Sequence, residues 1–83
     1  MRVLKFYADW CGPCKLLTEV IHDAQDQINI PIEEVNIDKD NAVAIQYGIR
    51  SVPTMILLDE NNTELKRVVG SLNQSDLLTF LKG

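Results

Sequence analysis

The first apolar stretch, Arg2-Val3-Leu4-Lys5-Phe6-Tyr7, is rich in β-branched and aromatic residues and reads as a strand. Alternation places Val3, Lys5 and Tyr7 together on one of its faces. From about Gly12 the apolar spacing lengthens to three or four residues. Leu17, Val20 or Ile21, Ala24 and Ile28 recur at that interval, which predicts a helix running to Ile28. Asn29-Ile30-Pro31 breaks the pattern, because proline cannot continue a helix. Residues Ile32 to Ile37 form a second predicted strand, and a strand–helix–strand passage of this length implies a parallel pair with a right-handed crossover.

Asp38-Lys39-Asp40-Asn41 is a polar loop that supplies capping residues to a short helix over Ala42–Tyr47, with Gly48 at the position just past its end. Ile49-Arg50-Ser51-Val52-Pro53-Thr54 leads into an apolar strand, Met55 to Leu58. The turn-forming run Asp59-Glu60-Asn61-Asn62-Thr63 separates it from an antiparallel partner, Glu64 to Val69, that Gly70 ends. Asn73 and Asp76 have the spacing of an N-cap and its third helical residue, and Leu77, Leu78 and Leu81 give the final helix its apolar stripe. The expectation is one α/β domain over residues 1–83, ordered β-α-β-α-β-β-α, with a four-stranded mixed sheet and helices on both faces.

Composition narrows this without redirecting it. Eighty-three residues with a 46% hydrophobic share suffice for one modest core. A net charge of −4 with acids and bases interspersed, and no basic or aromatic-basic stripe, argues against nucleic acid. The apolar runs are too short to span a membrane, and the start, Met1-Arg2-Val3-Leu4-Lys5, places a lysine inside the first apolar stretch and lacks a signal peptide's long apolar region. The expected location is cytoplasmic, where two cysteines in a Cys-x-x-Cys spacing are more often catalytic than structural.

Those two cysteines fall in Trp10-Cys11-Gly12-Pro13-Cys14-Lys15, where the first strand gives way to the first helix. The opening N–H groups of a helix are unpaired and its dipole is positive there, so a thiolate gains over a thiol. Cysteines three positions apart in a first turn share a side, close enough for a disulfide to open and close. Pro13 fits a first turn that does not need its N–H. Zinc needs about four ligands, and beyond the pair only His22 is a soft candidate. A purely structural disulfide closing so short a loop restrains the unfolded chain little. Both readings remain beside the redox one at this point; no metal or organic cofactor is expected.

The stretches Phe6-Tyr7-Ala8-Asp9-Trp10-Cys11-Gly12-Pro13-Cys14-Lys15, Val35-Asn36-Ile37-Asp38 and Tyr47-Gly48-Ile49-Arg50-Ser51-Val52-Pro53-Thr54, with Gly70 and the final Leu-rich helix, closely resemble the thioredoxin family. The resemblance implies a thiol–disulfide oxidoreductase that reduces protein disulfides. In it Cys11 attacks, Cys14 resolves, and Pro53 takes the place of a cis-proline facing the pair. Trp10, Gly12, Pro13 and Pro53 support the site, and Trp10, Val52, Pro53 and Gly70 frame the substrate surface. Its partners are protein disulfides and a thioredoxin reductase, and it is expected to be a monomer. Cys11 is expected to be the exposed, reactive thiol and Cys14 the covered one.

The chain departs from the family in four places. It resembles a short thioredoxin without the N-terminal strand and helix of the full-length members. Glu19 stands where a helix-kinking proline is frequent, and Asn61-Asn62 where Asn-Gly is frequent. The family's buried acid is Lys5 here and its nearby lysine is Glu34, so this exchanged pair is expected to meet below the cysteines as proton-transfer candidates. Two alternatives compete: a glutaredoxin-like enzyme reduced by glutathione, and a non-catalytic subunit or binding module of the same fold.

Overall fold

The computed structural model describes residues 1–82. Four strands, β1 (Arg2–Tyr7), β2 (Ile32–Asn36), β3 (Thr54–Leu58) and β4 (Glu64–Val69), form one sheet in the order β2-β1-β3-β4. β1 runs parallel to β2 and antiparallel to β3, and β3 antiparallel to β4. The helices are α1 (Gly12–Asp23), α2 (Asn41–Gln46) and α3 (Gln74–Leu81), in the expected β-α-β-α-β-β-α sequence.

The period of two in β1 and β3 sends alternate side chains to opposite layers. Val3, Met55 and Leu57 meet Leu17 and Ala24 of the α1 region and Leu77, Phe80 and Leu81 of α3. Leu4, Phe6, Ile56 and Leu58 meet Val35 and Ala44 on the α2 side. Both layers are closed over the inner strand β3, all five of whose residues are buried. Each fully buried large apolar side chain contributes about 1.5–3 kcal/mol relative to exposure, so these two clusters are the main source of stability.

Element ends follow local chemistry. Asn73 caps α3, its side-chain oxygen accepting from the Asp76 N–H at 2.8 Å. Gly48 closes α2 at φ +65°, where its N–H bonds the Ile45 carbonyl and that of Ile49 the Ala44 carbonyl. In the β3–β4 turn Asp59 accepts from the N–H groups of Asn61 and Thr63, and Asn62 takes the left-handed conformation at φ 62°.

The expected continuation of α1 to Ile28 is corrected. The helix ends at Asp23, the Ala24 N–H is shared between the Val20 and Ile21 carbonyls, and a single 3-10 turn occupies Gln25–Gln27. Ile28 still packs on the core. The apolar spacing therefore recorded burial correctly while the hydrogen-bond pattern beneath it tightened, as is common at helix ends. Among the described residues no helix is long and apolar enough to cross a membrane.

Candidate functional site

β1 delivers the chain to the rim of the sheet at Tyr7, and Ala8, Asp9 and Trp10 turn it into α1. The Cys11 N–H reaches back to the Ala8 carbonyl at 3.2 Å, which sets Cys11 as the N-cap of α1 with extended backbone. Its Sγ accepts from the Cys14 N–H at 3.1 Å, so one of the helix's otherwise unpaired donors points at sulfur. Pro13 lies in the first turn, and Gly12 is exposed with open space where a side chain would stand. Cys11 and Cys14 are joined in a disulfide, with Cα atoms 5.3 Å apart, inside the ordinary range for such a bond.

One expectation about the pair is overturned. Cys11 is 4% exposed and Cys14 2%, so both are buried rather than Cys11 standing open. The cover comes from a distant segment: Val52 packs on the pair, and its carbonyl oxygen lies 3.6 Å from Cys11 Sγ. Ala8 and Tyr7 close the other sides. With the disulfide formed, Cys11 is part of a small apolar cluster.

The Val52-Pro53 peptide bond is cis, as expected. Pro53 is buried, and its carbonyl accepts from the Gly70 N–H at 2.8 Å. Gly70 sits at φ +97°, a conformation open to glycine and strained for other residues. Val52, Pro53 and Gly70 are thus held together across the end of β3 and β4, beside the cysteines. Trp10 is 69% exposed on the other flank. Its indole N–H donates to Asp38 at 3.1 Å, and the Asp38 N–H in turn bonds the side-chain oxygen of Asn36, a buried residue that ends β2. Asp38 is a site residue that sequence reasoning missed as such; it lay in a stretch read as a polar loop.

Lys5 and Glu34 do meet. They are register partners across β1 and β2, and Lys5 Nζ donates to Glu34 Oε1 at 3.1 Å. Lys5 is 1% exposed, whereas the Glu34 side chain is 54% exposed. A second bond from the ammonium goes to the Thr18 hydroxyl, which itself donates to the Cys14 carbonyl at 3.1 Å. Thr18 was not singled out from the sequence, though its place four residues after Cys14 puts it on the same helix face. Lys5, Cys14, Thr18, Glu34 and Tyr7 line one open pocket of about 400 Å³. Among the described residues no group of three or more potential metal ligands is assembled. What remains is a vicinal cysteine pair able to interconvert between disulfide and dithiol, flanked by an exposed aromatic and a proline segment.

The Thioredoxin family model matches residues 1–83. The chain is 40% identical over 80 residues to a thioredoxin of Chlamydia caviae, covering 95% of this chain and 78% of that protein. It is 36% identical over 81 residues to one of Pseudomonas aeruginosa, covering 95% and 74%. Among solved structures, a mutant thioredoxin from Halobacterium salinarum superposes with a TM-score of 0.86 at 32% identity, covering 96% of this chain and 70% of that one. Thioredoxin 1 of Thermosipho africanus superposes with a TM-score of 0.83 at 26% identity, covering 99% and 91%.

Proposed function

Because the chain belongs to the thioredoxin family, we propose that it is a protein-disulfide reductase working through Cys11 and Cys14. The observation that carries this reading is the place of the pair. The sulfur of Cys11 sits at the N-terminus of α1 and accepts the Cys14 N–H, a position that favours thiolate once the bond is reduced. The Cys11 thiolate attacks one sulfur of a substrate disulfide and bonds to it, the substrate's S–S bond breaks, and the other substrate sulfur leaves with the electron pair as a thiolate, so a mixed disulfide remains on Cys11. Cys14 then attacks the Cys11 sulfur, the bond to substrate breaks, and the substrate departs with both sulfurs reduced.

Trp10, Val52, Pro53 and Gly70 form the docking surface in this reading, Trp10 and Val52 supplying apolar contact on either side of the cysteines. An extended substrate segment pairs with backbone at Val52. Gly12 and Pro13 keep the first turn compact and open, and no cofactor takes part. The domain acts as a monomer in a reducing, cytoplasmic setting, and a thioredoxin reductase returns the electrons.

The test is reduction of insulin disulfides. Turnover is expected with dithiothreitol or with NADPH and a thioredoxin reductase, and poor turnover with glutathione alone. Efficient turnover by millimolar glutathione moves the protein to the glutaredoxin class. Cys14→Ser is expected to accumulate a mixed disulfide and Cys11→Ser to abolish turnover; a Cys11→Ser/Cys14→Ser protein that retains a partner's activity identifies a binding module instead.

A further inference from the structure

Cys11 and Cys14 face different electrostatic problems. Cys11, at the mouth of the helix, has the Cys14 N–H and the positive helix end to support its thiolate. Cys14 lies within the first turn, 2% exposed, against Ala8 and Cys11. Burial of that kind favours a neutral thiol over the anion. In the second step of the proposed reaction, however, Cys14 is the nucleophile and must give up its proton. Something in its surroundings has to counter its burial.

The groups that face the Cys14 pocket are Lys5 and Tyr7 from β1, Asp9 from the loop after it, Lys15 and Glu19 from α1, and Glu34 from β2. Of these only Lys5 is buried, so only its charge acts through protein with little water to screen it. Lys5 is also the one charged group tied to the Cys14 backbone, by way of the Thr18 hydroxyl that bridges Nζ and the Cys14 carbonyl. Glu34 holds the ammonium from the outer side, half in solvent. A buried lysine is costly to keep: replacing a buried ion pair by apolar side chains of similar volume is often neutral or stabilising. Position 5 has Val3 and Met55 as its neighbours on the same layer, and would accept such a residue.

We propose that Lys5 is a positioning residue for the resolving step, a fixed buried cation that favours the Cys14 thiolate, with Thr18 and Glu34 holding it in place. This rests on the oxidoreductase reading above and specifies its second half. In that step the Cys14 S–H bond breaks and its proton leaves through the open pocket, past Glu34, to solvent. The thiolate forms the Cys11–Cys14 bond, and the Cys11–substrate sulfur bond breaks with its electron pair on the departing sulfur. The two members of the ion pair act in opposite senses. The ammonium supports the thiolate, and the carboxylate partly cancels the ammonium.

Reduced protein mixed with dithiobis-nitrobenzoate separates the steps. The attack of Cys11 releases a first nitrothiobenzoate and resolution by Cys14 a second, so two phases are read in one trace as pH is varied. Lys5→Met is expected to leave the first phase within about threefold, slow the second about tenfold at neutral pH and move its pH midpoint up by about one unit. Glu34→Gln keeps a side-chain acceptor and removes the negative charge, and is expected to move the same midpoint down. An unchanged midpoint in Lys5→Met, or a shift of the same sign in both variants, means that the pair is only a stitch between β1, β2 and α1, and overturns the proposal. Insulin reduction by the same wild-type preparation reads the premise separately. Wild-type protein that releases both equivalents yet leaves insulin intact overturns the reductase function and not the role of Lys5.

Discussion

β1 packs against helices on both sides, and its two sides are built differently. Toward α2 it presents Leu4 and Phe6, which join Val35, Ile56 and Leu58 in a wholly apolar layer. Toward α1 it presents Val3, then Lys5, then Tyr7, so the layer is apolar at one end and charged beside the cysteines. The same strand, with the same backbone, thus carries a core on one face and, on the other, a buried lysine paired with a half-exposed glutamate. Stability and chemistry are divided between the two faces of one strand. Phe6 and its neighbours hold the sheet against α2, while the α1 face relinquishes one apolar position at the pocket that Cys14 lines.

The sharpest way to break that contrast is to truncate each face in turn. Phe6→Ala removes a fully buried ring and leaves a cavity, and is expected to cost about 3–5 kcal/mol, enough to unfold much of a domain of this size. Lys5→Met exchanges a buried charge for a side chain of like volume, and is expected to lie within about 1 kcal/mol of the parent, on either side. Urea unfolding monitored by circular dichroism measures both. Equal losses at the two positions would show that Lys5 carries the fold as Phe6 does.

A smaller effect tests the pair itself. Glu34→Ala leaves the ammonium with the Thr18 hydroxyl and the face of the Tyr7 ring as partners, and is expected to cost about 1–2 kcal/mol, reduced from the fully buried case because Glu34 is half exposed. In a Lys5→Met background the same substitution should cost almost nothing, so the double-mutant cycle returns a coupling of about 1–2 kcal/mol. Exchanging the charges, Lys5→Asp with Glu34→Lys, should recover much of the loss of a single change. Additive effects in the cycle would mean that the hydrogen bond between them carries no energy.

Most of this architecture was legible because it rests on short-range rules. β1, β4, the Gly48 stop and the Asn73 cap follow from alternation, breakers and capping, each decided within a few residues of itself. Lys5 opposite Glu34 was expected from the family positions they exchange, and alternation with a parallel strand pair allowed it, but the register that joins them is set by the folded sheet. What escaped depends on distant partners. The burial of Cys11 is caused by Val52, separated from it by 41 residues, and no local pattern near the cysteines signals that lid. The early end of α1 was hidden because Ile28 still faces the core after the 3-10 turn. Phe80, three residues after Leu77 and buried with it, was overlooked in a stripe read from leucines alone. Thr18 carried a signal in its spacing from Cys14, but a hydroxyl on a helix is usually solvated, and only the buried ammonium beside it gives it a task.

The smallest expected effect belongs to the outer ion pair, the solvent-facing counterpart of Lys5 and Glu34. On β4, Arg67 donates twice to Glu64, at 2.6 and 2.7 Å, and once to the Tyr47 carbonyl at the end of α2. The Arg67 hydrogen bonds hold the Glu64 carboxyl below its ordinary value; burial opposes them, and the guanidinium charge adds a lesser lowering. A carboxyl whose folded value is depressed binds its proton more weakly in the folded chain than in the unfolded one. Its contribution is therefore present in full above the unfolded value and is lost as pH falls through the lower, folded value. Both partners are about one-third exposed, so the contribution is expected to be no more than about 0.5 kcal/mol. Glu64→Gln should accordingly lower stability slightly at neutral pH and converge with the parent in acid, below the ordinary carboxylate range. Unfolding midpoints at neutral and acidic pH check this. A loss in Glu64→Gln as large as that in Glu34→Ala would erase the distinction between a pair with a buried cation and a pair open to solvent on both sides.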